Sequence, residues 1–291
     1  MSGDDIILDR ADPKPLQRRI RLCADDYGIS PGVNRAIRDL IERERINATS
    51  VMVVGPAAGR DEVEALKTAA SRHPHCAIGL HLTLTAPFHP LTLHYRPLDG
   101  GLFPPLSKML RASLSRRLEP DMIFDEVTAQ IAAFGERFGR APEYVDGHQH
   151  VQIFPQVRDA FLNAVKTAAP GAWVRQCGRS RHSMTTLFTT PKALLLDILS
   201  AGFRREAART GIGFNPAFAG AYDFNKPDFA AQMQQFLNGS PDDGLIMCHP
   251  GFVDDTLVAF DPLTDQRERE YEFLAGDHFA DMLAANRVTL G

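Results

Sequence analysis

Short apolar runs recur along the chain and alternate with longer stretches in which apolar residues return every three or four positions. The short runs are typical of buried strands, and the longer stretches have the periodicity of amphipathic helices. The pattern predicts seven strands, near residues 19–23, 49–54, 77–82, 144–146, 172–175, 211–214 and 244–248. Alternation over the whole chain favours parallel strands joined by crossover helices, in a barrel or an open sheet.

Two helices have clear boundary signals. Ser30 can cap a helix that has Pro31 at its first position. A second helix has apolar residues spaced four, four, three and four apart from Ile123 to Phe138, and Gly139 stands where it should end. Further helical patterns cover residues 57–71, 155–168, 192–209, 227–237 and 267–285.

Acidic and imidazole side chains stand where the predicted strands end. Asp25 and Asp26 follow the first strand, and three histidines lie at or just past the ends of later strands, at His81, His148 and His249. The carboxyl ends of the strands of a parallel barrel share one rim, where catalytic groups gather from distant positions. We therefore predict an α/β fold, a (β/α) barrel with about seven parallel strands, similar to a TIM barrel.

One segment breaks the alternation of strands and helices. Residues 86–120 contain six prolines and follow directly after the strand of His81. A long proline-rich insertion at this position is expected to be a rim loop that covers the site. The chain has no linker, repeat or low-complexity segment, so we predict a single domain over residues 1–291.

Composition limits the classes of binding partner and the cellular compartments that we expect. The net charge of −4 gives no global basic field, which argues against nucleic acid or a membrane surface as partner. Four cysteines without CxxC spacing argue against a disulfide framework. The first fifteen residues lack the pattern of a signal peptide, and no apolar stretch reaches the roughly 18 residues of a membrane span. We predict a cytoplasmic protein that binds a small molecule, with a homodimer as one option.

The residue types at the rim suit a metal centre. One carboxylate and two imidazoles fit zinc, manganese or iron better than magnesium, which prefers oxygen ligands. On extended chain, His148 and His150 would point to the same face. Asp25 could take a proton from water while His249 protonates a leaving group, the minimum for amide hydrolysis.

Each of these residues also has a simpler explanation. Asp25 and Asp26 could serve the N-terminus of the following helix, although Ser30 already fills that role. His81 alone could be a hydrogen-bonded structural histidine of a strand. The segment around His148 could be a surface turn. The metal-site hypothesis depends on all of these side chains meeting at one rim.

Four short blocks resemble a known family. They are Ala24–Gly28 with Asn34 downstream, Gly79–Leu82, Val145–Val151 and Cys248–Phe252. In this order they resemble the carbohydrate deacetylase family that includes YdjC, the chitooligosaccharide deacetylases and the hopanoid-associated deacetylases. The sequence departs from the histidine-rich version of the third block, because Gln149 and Gln152 stand where some relatives have further histidines.

The resemblance implies a seven-stranded (β/α) barrel that removes acetyl groups from N-acetylated amino sugars or oligosaccharides. It implies one divalent metal ion, associated with magnesium in the family, and the ligands Asp26, His81 and His148. It also implies Asp25 as catalytic base and His249 as assisting acid. Magnesium from the resemblance and zinc from ligand chemistry both stay open.

Candidate substrate contacts come from other strand ends. Aromatic side chains that could stack on a sugar are Trp173, Phe214, Phe218 and Tyr222. His150 and Arg175 are further predicted substrate contacts.

Two alternative functions remain open at this stage. A metal phosphoesterase would need basic residues at the rim, and only Arg175, Arg179 and Arg181 indicate such a cluster. A non-catalytic sugar-binding barrel would be favoured by loss of a carboxylate or histidine, and none is missing. We therefore expect a metal-dependent N-deacetylase.

Overall fold

The structure is a computed structural model that describes residues 17–186, 191–224 and 228–291. The expectation for the first fifteen residues lies outside these ranges. The strands are β1 (Arg18–Tyr27), β2 (Ala48–Val51), β3 (Ala77–Leu82), β4 (Tyr144–Gly147), β5 (Trp173–Val174), β6 (Phe218–Ala219), β7 (Gly244–Cys248) and β8 (Val288–Leu290).

All pairs between these strands are parallel. Their order is β5, β4, β3, β2, β1, β7, β6, and β8 pairs with the start of β1. A bridge between Val174 and Phe214, and a hydrogen bond from Phe218 N to Gly178 O, connect the two ends of this order. The sheet therefore curls on itself, and the predicted (β/α) barrel is confirmed.

Helices follow the strands along the described chain. Their bounds are α1 (Pro31–Glu42), α2 (Arg60–Ser71), α3 (Leu106–Leu114), α4 (Pro120–Phe138), α5 (Val157–Ala168), α6 (Arg181–Thr186), α7 (Pro191–Thr210), α8 (Phe229–Gly239), α9 (Asp255–Phe260), α10 (Asp265–Ala275) and α11 (Asp277–Ala285). The cap signals hold, since Ser30 accepts a hydrogen bond from Val33 N and Gly139 has a φ of 69°. Among the described residues, no helix combines the length and apolar character needed to cross a membrane.

Several elements differ from the sequence prediction. The strand predicted at 211–214 is not a strand, because the Asn215 side chain takes both hydrogen bonds of the Gln176 backbone and β6 begins only at Phe218. The helix predicted at 267–285 is two helices, separated at Gly276, whose backbone is extended. β8 and the short helices α3, α6 and α9 were not predicted.

The end of β1 lies deep in the protein. The strand is buried from Leu22 to its last residue, so its two carboxylates, Asp25 and Asp26, are buried as well. Burial of an ionised carboxylate is strongly unfavourable unless cations or hydrogen-bond donors compensate it. The partners of these two acids therefore define the site.

Candidate metal centre

An irregular backbone presents the two acids. The register between β1 and β2 shifts between Ala24 and Tyr27, and Asp26 has a left-handed φ of 69°. A non-glycine residue in this region is strained by about 1–3 kcal/mol and persists only where neighbours hold it. The Asn34 side chain supplies that support, because it accepts from Gly28 N at 2.6 Å and donates to Ala57 O at 2.9 Å.

Three predicted ligands lie together at the rim. Asp26 Oδ1 is 3.2 Å from His81 Nε2 and 3.0 Å from His148 Nδ1. One ligand atom from each residue lies within 4.8 Å of the others, which is the spacing that a shared metal ion would need. The three side chains come from the ends of β1, β3 and β4.

Two further polar residues hold His81. Its Nδ1 lies 2.6 Å from Asp146 Oδ1 and 3.0 Å from Ser50 Oγ. Burial would lower the pKa of His81, but the carboxylates of Asp146 and Asp25 outweigh it and raise the pKa to about 10. A carboxylate on Nδ1 fixes the ring so that Nε2 faces the centre. Asp146 pairs in register with His81, a placement that only the strand pairing reveals.

Asp26 has a buried cationic partner. Arg267 Nη2 donates to Asp26 Oδ2 at 2.6 Å, on the other oxygen from the one that faces the histidines. Burial would raise the pKa of Asp26, but the charges of Arg267 and His148 outweigh it and hold the pKa well below its usual range. No sequence pattern marked this arginine, which lies on α10.

Asp25 is bound at both oxygens. Arg175 Nη1 and Nη2 donate to its two carboxylate oxygens, each at 2.6 Å. Burial would raise the pKa of Asp25, but the Arg175 charge outweighs it and holds the pKa below its usual range. Asp25 Oδ2 also lies 4.0 Å from His81 Nε2, so the carboxylate borders the ligand cluster.

Arg175 itself differs from expectation. It was predicted to contact substrate, but its side chain is fully buried and also pairs with Asp146. The structure therefore makes it a partner of Asp25. Two opposed carboxylates compensate the charge that burial would otherwise leave unpaired.

His249 directly follows β7, whose last residue, Cys248, pairs with Ala24, so His249 lies near Asp25. Its charge helps to lower the pKa of Asp25, after the larger effects of Arg175 and His81, which together outweigh the opposite effect of burial. Its backbone N donates to Glu270 Oε2 at 2.6 Å, and Tyr222 Oη donates to the other oxygen of that carboxylate, also at 2.6 Å. Tyr222 thus supports the His249 backbone through Glu270.

His148 and His150 do not point to one face. The chain turns into a 3-10 segment at His148–Ile153, and Gln149 and His150 have left-handed φ values of 55° and 60°. His150 Nδ1 therefore lies 3.5 Å from Cys177 Sγ, with its ring edge against Phe218. The expectation of extended chain was wrong here, because alternation holds only for extended backbone.

The remaining predicted aromatics lie at different depths. Trp173 stacks on Tyr144 with ring centroids 4.4 Å apart, and the guanidinium of Arg21 covers it at 4.8 Å. Phe218 is buried in the core, while Phe214 is half-buried at its bridge to β5. Trp173 and Phe218 are thus packing residues in this structure.

The proline-rich insertion reaches the centre. Phe88 lies edge-on to the His148 ring at 5.9 Å and stacks on Phe260 of α9 at 5.6 Å. The buried carboxylate of Glu126 in α4 accepts from the backbone N of Leu91 and Thr92, at 3.0 and 2.8 Å. The insertion therefore packs against a candidate ligand and is anchored behind it.

The fold and the site define a (β/α) barrel with a buried carboxylate and histidine centre at the carboxyl ends of its strands. A sequence model of the YdjC-like protein family matches residues 19–285, and the chain belongs to that family.

Two relatives and one solved structure are similar to this chain over most of its length. The chain is 28% identical over 247 residues to a chitooligosaccharide deacetylase of Citrobacter koseri, covering 83% of this chain and 85% of the relative. It is 23% identical over 249 residues to one of Yersinia pestis, covering 84% and 85%. A crystal structure from Enterococcus faecalis, of a protein named for cellobiose-phosphate cleavage, superposes with a TM-score of 0.72 at 21% identity, covering 95% of this chain and 97% of that one.

Proposed function

We propose that this protein is a metal-dependent hydrolase that removes the acetyl group from an N-acetylated amino sugar or oligosaccharide. The observation that carries the proposal is the cluster of Asp26, His81 and His148 with Asp25 at its border. Membership of the YdjC-like family, with relatives named as chitooligosaccharide deacetylases, supports the substrate class.

The three clustered residues fit a divalent cation. They offer one carboxylate oxygen and two imidazole nitrogens, and Asp146 orients the His81 ring in the way that supports a ligand nitrogen. A bound divalent cation would polarise the amide carbonyl and make water a better nucleophile at neutral pH. Two imidazoles favour zinc, manganese or iron, whereas the family resemblance implies magnesium.

Asp25 is the proposed general base. It borders the ligand cluster and is held ionised by Arg175, whose guanidinium also fixes the direction of both carboxylate oxygens. Oδ1 also accepts from Ser50 Oγ and Cys23 Sγ, each at 3.4 Å, whereas among the described residues Oδ2 accepts only from Arg175 Nη1. Oδ2 therefore retains a lone pair with which to accept a proton from water. A fixed carboxylate within reach of the reacting water is what general base catalysis requires.

His249 is the proposed general acid. Its backbone is held by Glu270, and its Nδ1 is buried without a hydrogen-bond partner among the described residues. In amide hydrolysis the departing amine needs a proton, and an imidazole across the site from the base can donate it. His150, Phe214 and the accessible part of Tyr222 are proposed to border the sugar.

The phosphoesterase alternative has little support in these contacts. Arg175 is fully buried on Asp25, and Arg179 donates to Asp197 at 2.8 Å. Both guanidinium groups are therefore already neutralised by carboxylates. We retain the deacetylase proposal, together with the predictions of a cytoplasmic location and a homodimer.

Acetate release tests the proposal directly. The metal-depleted protein would be incubated with N-acetylated mono- and oligosaccharides, alone and after addition of zinc, magnesium, manganese or iron(II). We expect acetate release that depends on an added metal and is abolished in Asp26→Asn. Absence of acetate with every sugar and every metal, from protein that is folded and binds metal, would refute deacetylation.

A further inference from the structure

Helix α10 places one arginine entirely inside the protein. Arg267 Nη2 donates both to Asp26 Oδ2, at 2.6 Å, and to Asp261 Oδ2. Its Nε donates to Leu263 O at 3.1 Å. The side chain is fully buried, so its position is set by these three acceptors and not by solvent.

Arg267 divides the two oxygens of Asp26 between different partners. Oδ1 faces His81 and His148, whereas Oδ2 accepts from the guanidinium. Because Asp261 and Leu263 hold the same guanidinium, it cannot move freely with Asp26. Charge-assisted hydrogen bonds of this kind are about twice as strong as neutral ones.

α10 supports the same arrangement through one backbone acceptor and one side-chain acceptor. Arg267 O accepts from Gly251 N at 3.1 Å, and Glu270 accepts from His249 N at 2.6 Å. One helix therefore holds the carboxylate side of the ligand cluster and the loop of the proposed acid. A shift of Arg267 would therefore move both Asp26 and the loop that carries His249.

We propose that Arg267 is a positioning residue that withholds one oxygen of Asp26 and lowers the affinity of the cluster for a divalent cation. This inference rests on the metal centre of the proposed function. The fixed positive charge on Oδ2 opposes a second cation on the same carboxylate. Asp261 offsets part of that charge. Loss of Arg267 and loss of the Asp261 charge should therefore change metal affinity in opposite directions.

The experiment measures zinc affinity in the absence of any sugar. Metal-depleted wild type, Arg267→Gln and Asp261→Asn are titrated with Zn²⁺ by calorimetry in the presence of a competing chelator. We expect about tenfold tighter binding in Arg267→Gln and several-fold weaker binding in Asp261→Asn, since charges this close are weakly screened. Arg269→Gln is the matched control from the same helix, because the Arg269 side chain donates to Gln266 Oε1 and not to the cluster.

Opposite shifts in the two variants support the inference, because general damage to the site would weaken binding in both. Weaker or unchanged zinc binding in Arg267→Gln overturns it. If Arg267→Gln does not fold, Asp261→Asn decides alone, and unchanged or tighter binding there overturns the inference. A wild type that binds no Zn²⁺ or other divalent cation overturns the metal centre itself, which separates failure of the proposed function from failure of the role of Arg267.

Discussion

At the scale of single residues, each of the two neighbouring acids has its own buried arginine. Asp25 pairs with Arg175 and Asp26 pairs with Arg267. Adjacent acids with equal surroundings would compete for one cation. Here one faces the two histidines through Oδ1, and the other is fixed at the border of the cluster. The proposed division of roles, with Asp26 as metal ligand and Asp25 as base, is supported by this difference in surroundings.

The first prediction concerns the proposed base. Asp25→Asn should still bind metal but lose about a hundredfold or more in turnover, because an amide cannot accept the proton. Breaking a buried ion pair costs about 3–5 kcal/mol, so the variant should also unfold at lower temperature. Zinc titration, acetate release and thermal unfolding measure the three effects. Asp121→Asn on exposed α4 surface is the control, and wild-type turnover in Asp25→Asn would remove Asp25 from the mechanism.

The second prediction concerns the residue behind a proposed ligand. Asp146→Asn removes the charge that orients His81, and it also removes one of the carboxylates that pair with Arg175. We expect metal affinity to fall about 10–100-fold, the usual effect of losing the group that orients a ligand histidine. Calorimetry on the metal-depleted protein checks this. An unchanged zinc affinity would mean that the contact only stabilises the fold.

The sequence located the acids and histidines but not their pairing with arginines, since Arg175 was predicted to contact substrate and Arg267 was not singled out. Asp25 and Arg175 are 150 positions apart, and Asp26 and Arg267 are 241 apart. Arg267 stands at the start of the helical pattern of residues 267–285, and nothing local marks it as buried. Such partners follow from tertiary structure alone, whereas the acids were visible because charge is rare at the end of a buried strand.

At the scale of elements, predictions succeeded where a periodic pattern had an explicit boundary. α1 begins at Pro31, after the Ser30 cap, and α4 ends at Phe138, before Gly139, as the boundary signals indicated. The strand predicted at 211–214 is absent because the Asn215 side chain takes the hydrogen bonds that a strand backbone would make. An apolar pattern in the sequence does not predict such a side-chain substitution. The prediction that His148 and His150 share one face was also wrong. The left-handed backbone at Gln149 interrupts the extended chain, in which side chains would alternate between two faces.

The third prediction concerns the anchored insertion. Glu126→Gln weakens the acceptors for the backbone of Leu91 and Thr92, so residues 86–105 should become less firmly held against His148. We expect a loss of about 1–3 kcal/mol in stability and a changed ratio of rates on short and long N-acetylated sugars. Asp125→Asn is the matched control, because Asp125 contacts the insertion only through exposed His94. An unchanged rate ratio with the expected stability loss would make the insertion packing and not a specificity loop.

At the scale of the whole molecule, the ligand cluster joins the ends of three parallel strands. β1, β3 and β4 contribute Asp26, His81 and His148, and the β1 strand pairs with β2, β7 and β8 along its length. A cation that binds this cluster would link segments far apart in sequence and present together only in the folded chain. Binding of a metal ion at this cluster would therefore be coupled to global stability.

The last prediction follows from this coupling. Added Zn²⁺ at about 100 times its dissociation constant should stabilise the folded protein by about 2.7 kcal/mol, which raises the unfolding temperature by about 5 °C or more. His148→Ala should lose most of this shift, because it removes one donor from a half-buried position without emptying the core. His89→Ala, at an exposed position of the insertion, should keep it. Thermal unfolding of metal-depleted protein with and without Zn²⁺ gives the answer. An equal shift in wild type and His148→Ala would show that the stabilising ion binds somewhere other than this cluster.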